Sequence, residues 1–151
     1  MKKLILVPFI VLLFSCDSTK KTTDQKPAAD GKKNPSTALY QILSESAYQG
    51  KTEKSYEIIK DNASLVKLYE AVNDPQVPKV DFSKERIVAL FMGEKSSGGY
   101  AIKVKNVSEK GGKIYVAVEE TKPGSGDIVT MSFTSPYTIV KINSTKEIIF
   151  Q

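Results

Sequence analysis

The run Ile87-Val-Ala-Leu-Phe-Met92 constrains this chain more than any other stretch. Six consecutive apolar residues leave no position to face water, so they describe a strand buried on both faces. After it come Gly93-Glu-Lys-Ser-Ser-Gly-Gly99, and then Tyr100, Ile102 and Val104 alternating with Ala101, Lys103 and Lys105. That period of two belongs to a strand with one wet face. Glycine reaches positive φ without steric cost, so Ser97, Gly98 and Gly99 are expected to turn the chain back in a β-hairpin. Ile114, Val116 and Val118 alternate in the same way beyond the turn signal Lys110-Gly111-Gly112. The expectation is a three-stranded antiparallel meander between Arg86 and Lys122.

The flanking segments add strands and one helix. Leu39 to Tyr48 reads as a strand, Gln49-Gly50 as a turn and Ser55 to Lys60 as a second strand. Asp61 or Asn62 then caps a helix from Ala63 to about Asn73. Leu65, Leu68, Tyr69 and Val72 give it one apolar face, and Pro75 and Pro78 follow its end. Phe82 reads as a core plug beside the central strand. Beyond the Gly/Pro loop Thr121 to Asp127, Ile128 to Phe133 alternates with Val129, Met131 and Phe133 on one face, and is expected to be a strand. Tyr137 to Ile142 follows as another, and Glu147 to Phe150 as a short last one. The fold class is α+β: a twisted antiparallel sheet of about six or seven strands with one helix packed on a face.

The N-terminal quarter has a different character. Lys2 and Lys3 precede the apolar stretch Leu4 to Phe14, which is shorter than the ~20 residues of a membrane-spanning helix and reads as an export signal over residues 1–15. Leu13-Phe-Ser-Cys16 resembles a bacterial lipobox, although Phe14 is larger than the usual residue there. Cys16 is the only cysteine, and it stands where lipidation requires a thiol. Acylation there, with diacylglycerol and a further chain such as palmitate, would anchor the protein stably, as one chain alone would not. Residues 16–38 then form a tether. Beyond Cys16, Pro27 and Pro35 apart, they hold no apolar side chain larger than Ala, so they cannot bury enough surface to offset chain entropy. A flexible chain of that length spans roughly 25 Å. The folded domain is expected over 39–151, and the localisation is the bacterial cell envelope, on the periplasmic or surface side.

Several chemistries are excluded. The chain has no His and one Cys, so it holds neither the usual general base nor the commonest metal ligand. No metal or cofactor is implied. The net charge of +5 includes Lys2 and Lys3, and the remaining 20 basic and 17 acidic residues are too balanced to argue for nucleic acid. Gly93-x-x-x-x-Gly98-Gly99 lacks the Lys-Ser/Thr of a phosphate loop and precedes a strand rather than a helix. Glu119 and Glu120 point to opposite faces of one strand and cannot share acid–base work.

The residues Phe91-Met-Gly-Glu-Lys-Ser-Ser-Gly-Gly-Tyr-Ala-Ile102 resemble the signature of the PrcB C-terminal domain family, found in accessory subunits of bacterial surface protease complexes. Val80-Asp-Phe-Ser-Lys84 is similar to the family's lead-in, Pro123-Gly124 to its Pro-Gly turn and Thr134-Ser-Pro-Tyr-Thr-Ile-Val140 to its closing motif. The resemblance covers residues 80–142. It implies a non-catalytic envelope domain, without cofactor or small-molecule substrate, that supports assembly or stability of a protein partner, the prototype being an exported protease.

Loops on a rigid sheet commonly carry binding. The candidate contact residues are therefore Gly93, Lys95, Ser97, Gly98, Gly99, Tyr100, Pro123, Gly124, Pro136 and Tyr137, with Cys16 as the lipidation site. Gly93, Gly98 and Gly99 also fit a bulge and a turn with no further role. Tyr100 fits the core as well as a contact. Two other functions stay open. Ser97-Gly-Gly-Tyr100 is similar to the hairpin loop of chagasin-like protease inhibitors, although Ile102 stands where those have Trp. An enzyme working without His or metal is the third.

Overall fold

Ile87 to Met92 form a strand with no exposed residue, and the rest of the domain is layered on its two faces. The computed structural model describes residues 39–151. The segments read as an export signal and a tether, and Cys16 between them, lie outside the described residues. The elements in chain order are β1 (Tyr40–Ser46), β2 (Lys54–Ile59), α1 (Asn62–Ala71), β3 (Arg86–Met92), β4 (Ala101–Lys110), β5 (Lys113–Thr121), β6 (Tyr137–Ile142) and β7 (Ile148–Phe150). The α+β class and the seven strands agree with the sequence, but the strands divide between two sheets. One is antiparallel, in the order β1-β6-β3-β2; the other runs β4-β5-β7, with β7 parallel to β5.

The pleat of β3 sends alternate residues to opposite sides. Val88, Leu90 and Met92 face the second sheet, where they join Ile102, Val104, Val107, Ile114, Val116 and Val140. Ile87, Ala89 and Phe91 face the helix, meeting Leu65, Leu68, Tyr69, Val72 and Ile139. The result is three layers: sheet, sheet, helix. Phe82 packs at the edge of the helix-side cluster, as its position suggested.

The helix starts where the sequence puts it. Asp61 is extended, and its carboxylate accepts from the Ser64 N–H at 2.8 Å, satisfying one of the first-turn donors. Asn73 closes the other end with φ 51°.

Two expectations are corrected. β3 and β4 do not form a hairpin, because β3 already has β2 on one side and β6 on the other. With both edges of β3 occupied, residues 93–100 carry the chain out of the first sheet, and β4 opens the second. The true hairpin is β4–β5. Its two-residue turn has Gly111 at φ 58° and Gly112 at φ 75°, the double positive φ that tight hairpins favour. Nor is Ile128 to Phe133 a strand. The alternation is there, but none of these six residues pairs in a ladder; the isolated bridge to Lys95 is made by Thr134, just beyond them.

β1 lies antiparallel to β6, with Tyr40 opposite Ile142 and Ser46 opposite Tyr137. The described chain therefore enters at one pole of the first sheet, and β1 ends at the other.

Candidate functional site

At the pole where β1 and β3 end, three loops gather: residues 47–53, 93–100 and 122–136. Main-chain hydrogen bonds hold them together. Lys95 and Thr134 exchange two bonds, at 2.7 and 2.9 Å, and the Gly98 N–H donates to the Thr130 carbonyl at 2.9 Å. Thr134 Oγ1 donates to the Ser97 carbonyl at 2.8 Å. The first loop is tied in by Gly50 N–H to Ser135 O at 2.8 Å and by Glu94 N–H to Thr52 O at 2.9 Å.

The glycines of the signature serve this assembly. Gly93 has φ 77°, and a Cβ there would lie 2.9 Å from the Lys54 nitrogen. Gly98 is buried, and its Cβ would meet Thr130 Oγ1 at 2.4 Å. Gly99, at φ 85°, is exposed but pressed against Pro123 and Val129. Ser97 is half-buried and turned onto its own loop, its hydroxyl donating to the Gly98 carbonyl at 3.2 Å.

The other candidates divide into core and rim. Tyr137 is buried, with its ring centroid 6.1 Å from that of Phe91. Its hydroxyl lies 2.9 Å from Ser44 Oγ, which donates to Asp74, so Tyr137 is the donor to Ser44. Pro136 is buried, and its carbonyl accepts from Met92 N–H. Tyr100 packs half-buried on the inter-sheet core, with Lys95 Nζ 6.0 Å from its ring centroid. Gly124 N–H donates to Asp127 Oδ2 at 2.7 Å, which closes the Pro123-Gly124 turn on itself.

What sequence reasoning missed is the exposed apolar content of the third loop. Ile128 is 103% exposed, Met131 91% and Phe133 70%, and Tyr48 on the first loop is 62% exposed. The signal was present: three large apolar residues lie within six positions, bounded by breakers. The alternation of Val129, Met131 and Phe133 pointed to a strand, and only the tertiary pairing shows that no strand forms.

Two seams run between the sheets, and they differ. On the β2 side, Tyr56 Oη donates to Glu120 at 2.8 Å, Lys54 Nζ sits 2.5 Å from the same carboxylate, and the Tyr56 and Phe150 rings are 5.2 Å apart. The hydrogen bond from Lys54, then that from Tyr56, holds the Glu120 carboxyl below the usual range. Burial, then Glu120, pushes the Tyr56 hydroxyl up. On the β1 side the sheets part around a cavity of about 220 Å³, lined by Glu45 to Ala47, Tyr100 to Lys103 and Pro136 to Thr138. Among the described residues, no group of three or more Asp, Glu or Cys side chains is placed to hold a metal ion.

Comparison with curated proteins and with solved structures yields no match. A family model does match, and it spans the central strand, the crossover, the β4–β5 hairpin, the exposed loop and β6. Residues 86–143 match the family described as PrcB C-terminal, the family that the signature residues resemble.

Proposed function

We propose that this chain is a non-catalytic envelope lipoprotein, which binds another protein through its loop cluster and thereby supports the assembly or stability of an exported protease-type complex. One observation carries the contact surface: Ile128, Met131 and Phe133 stand exposed on a loop whose base is fastened to Lys95 and Gly98. A single exposed apolar side chain needs no explanation. Three on one loop, with Tyr48 on the adjoining one, make the kind of patch that marks interaction sites. Because the base is already ordered, docking sacrifices less conformational freedom. The accessory role is supported by the family match, which contains the whole of this loop. Lipid on Cys16 would keep the domain at the membrane.

The test is a photo-reactive phenylalanine at position 133 in cells that make the protein. It is expected to cross-link to one envelope protein. Changing Ile128, Met131 and Phe133 to Ser should abolish capture of that protein while leaving the melting curve unchanged. Capture that survives the triple change overturns the contact surface, and so does the absence of any cross-linked protein. Cys16→Ser should release the chain from membranes and remove metabolic labelling by palmitate. For the inhibitor reading, the buried Gly98 is adverse, since that alternative needs a freely presented loop. Purified protein should therefore leave papain-like and serine proteases active.

A further inference from the structure

The seam between β1 and β4 has an edge strand beside a cavity, and its chemistry selects what can fill it. Thr138 Oγ1, buried beneath the seam, donates to the Ile102 carbonyl at 2.6 Å, so that carbonyl points away from β5. The same parity holds two residues on. Val118, opposite Val104, sends its N–H to Gln151 at 2.8 Å on the far side of β5, so the Val104–Val118 pair is not hydrogen-bonded within the hairpin. The N–H groups of Ile102 and Val104 and the Val104 carbonyl therefore face the seam. Among the described residues none of the three has a hydrogen-bond partner. Ala101 to Val104 is also the regular part of the strand, because the register shifts only beyond Val104.

We infer that this edge takes up an extended segment of a partner protein, which adds to β4 as a further strand and places one large apolar side chain in the cavity. Main-chain groups spaced along an edge are directional, and another extended main chain is what matches them. A lipid or a small apolar molecule would fill the cavity and leave them unmet. The cavity walls are apolar at Ala47, Tyr100, Ile102 and Pro136. Glu45 and Lys103 stand on opposite walls, and neither has an ion-pair partner among the described residues. The segment should therefore carry an acidic residue beside its apolar anchor on the β4 side and a basic one on the β1 side. Tyr56, Glu120 and Phe150 bridge the opposite seam, and the cavity of about 260 Å³ farther along it is walled by Lys60, Arg86, Lys146 and Glu147, so it offers no comparable apolar anchor site. The inference rests on the reading of this pole as a protein-contact surface, because Tyr100 and Pro136 belong to both the loops and the groove.

The probe is a peptide of about six residues that alternates apolar and charged side chains with phenylalanine at its centre, titrated against the full chain. Binding is expected below about 1 mM, with the Ile102 and Val104 amides exchanging roughly tenfold more slowly. N-methylation of alternate peptide residues should weaken binding roughly tenfold or more in one register and little in the other. Ala47→Phe, which fills the cavity, should abolish binding without lowering the melting temperature. Val107→Thr, in β4 but beyond the cavity, should leave binding intact even if the fold weakens. No binding at about 1 mM overturns the inference, as does binding that both N-methylated registers retain. If the peptides fail while Phe133 still cross-links to its envelope protein, the groove assignment falls and the loop contact stands. If both fail, the contact pole itself is wrong.

Discussion

Gly93 and Gly98 sit five positions apart in one loop, and the reasons each must be glycine differ. At Gly93 a side chain would need a left-handed backbone and would press on main chain that cannot move. At Gly98 the obstacle is the hydroxyl of Thr130, which can rotate away. Gly93→Ala is therefore expected to cost about 1–3 kcal/mol and Gly98→Ala under about 1 kcal/mol, read from denaturant titrations. The sequence marked both as conformationally special. It did not distinguish them, because the difference lies in which atoms of other segments come close. Glu120 makes a pH-dependent contribution of definite sign. Its folded carboxyl is held below the ordinary range, so the stabilisation is present above that range and is lost as pH falls through the depressed value. Thermal melts between about pH 3 and 6 should show an acid-side loss in the natural protein that is smaller in Glu120→Gln. Tyr56→Phe should remove about 1 kcal/mol at neutral pH, since it deletes one hydrogen bond to that carboxylate.

Among the elements, β3, α1 and β6 were legible with nearly their observed bounds. Each is a pattern set by its own burial: a continuous apolar run for the doubly covered strand, a spacing of three and four for the helix. Burial should then govern substitutions in the helix. Leu65→Ala removes a core side chain and is expected to cost about 2–5 kcal/mol, whereas Val66→Ala, at a position 42% exposed, should cost under about 0.5 kcal/mol, both measured by urea unfolding. The assignment of strands to sheets was not legible. Whether β4 pairs with β3 depends on whether β2 and β6 have already taken its edges, and β6 lies some fifty residues downstream of β3. The same non-local fact explains Ile128 to Phe133, a strand pattern without a ladder. Its misreading hid the apolar loop, so the glycines and prolines at the loop bases drew attention while the exposed tips did not. The closed seam was equally hidden, because Tyr56, Glu120 and Phe150 are distant in the chain and meet only once both sheets have formed.

The whole domain has two unlike ends. One carries the gathered loops and the open groove; the other carries the Gly111-Gly112 turn, where a side chain would meet nothing within 4 Å. A short peptide tag inserted between Gly111 and Gly112 is therefore expected to leave both melting temperature and partner capture unchanged, as a pull-down against the untagged protein would register. The first described residues also lie at that second end, since Tyr40 pairs with Ile142 and the loops begin only after Ser46, about 20 Å along β1. Any upstream attachment, a lipid leash included, thus takes hold at the heel of the domain. Ile128, Met131 and Phe133 form its toe, so a load applied through Leu39 would aim them away from the point of attachment, wherever that attachment is made.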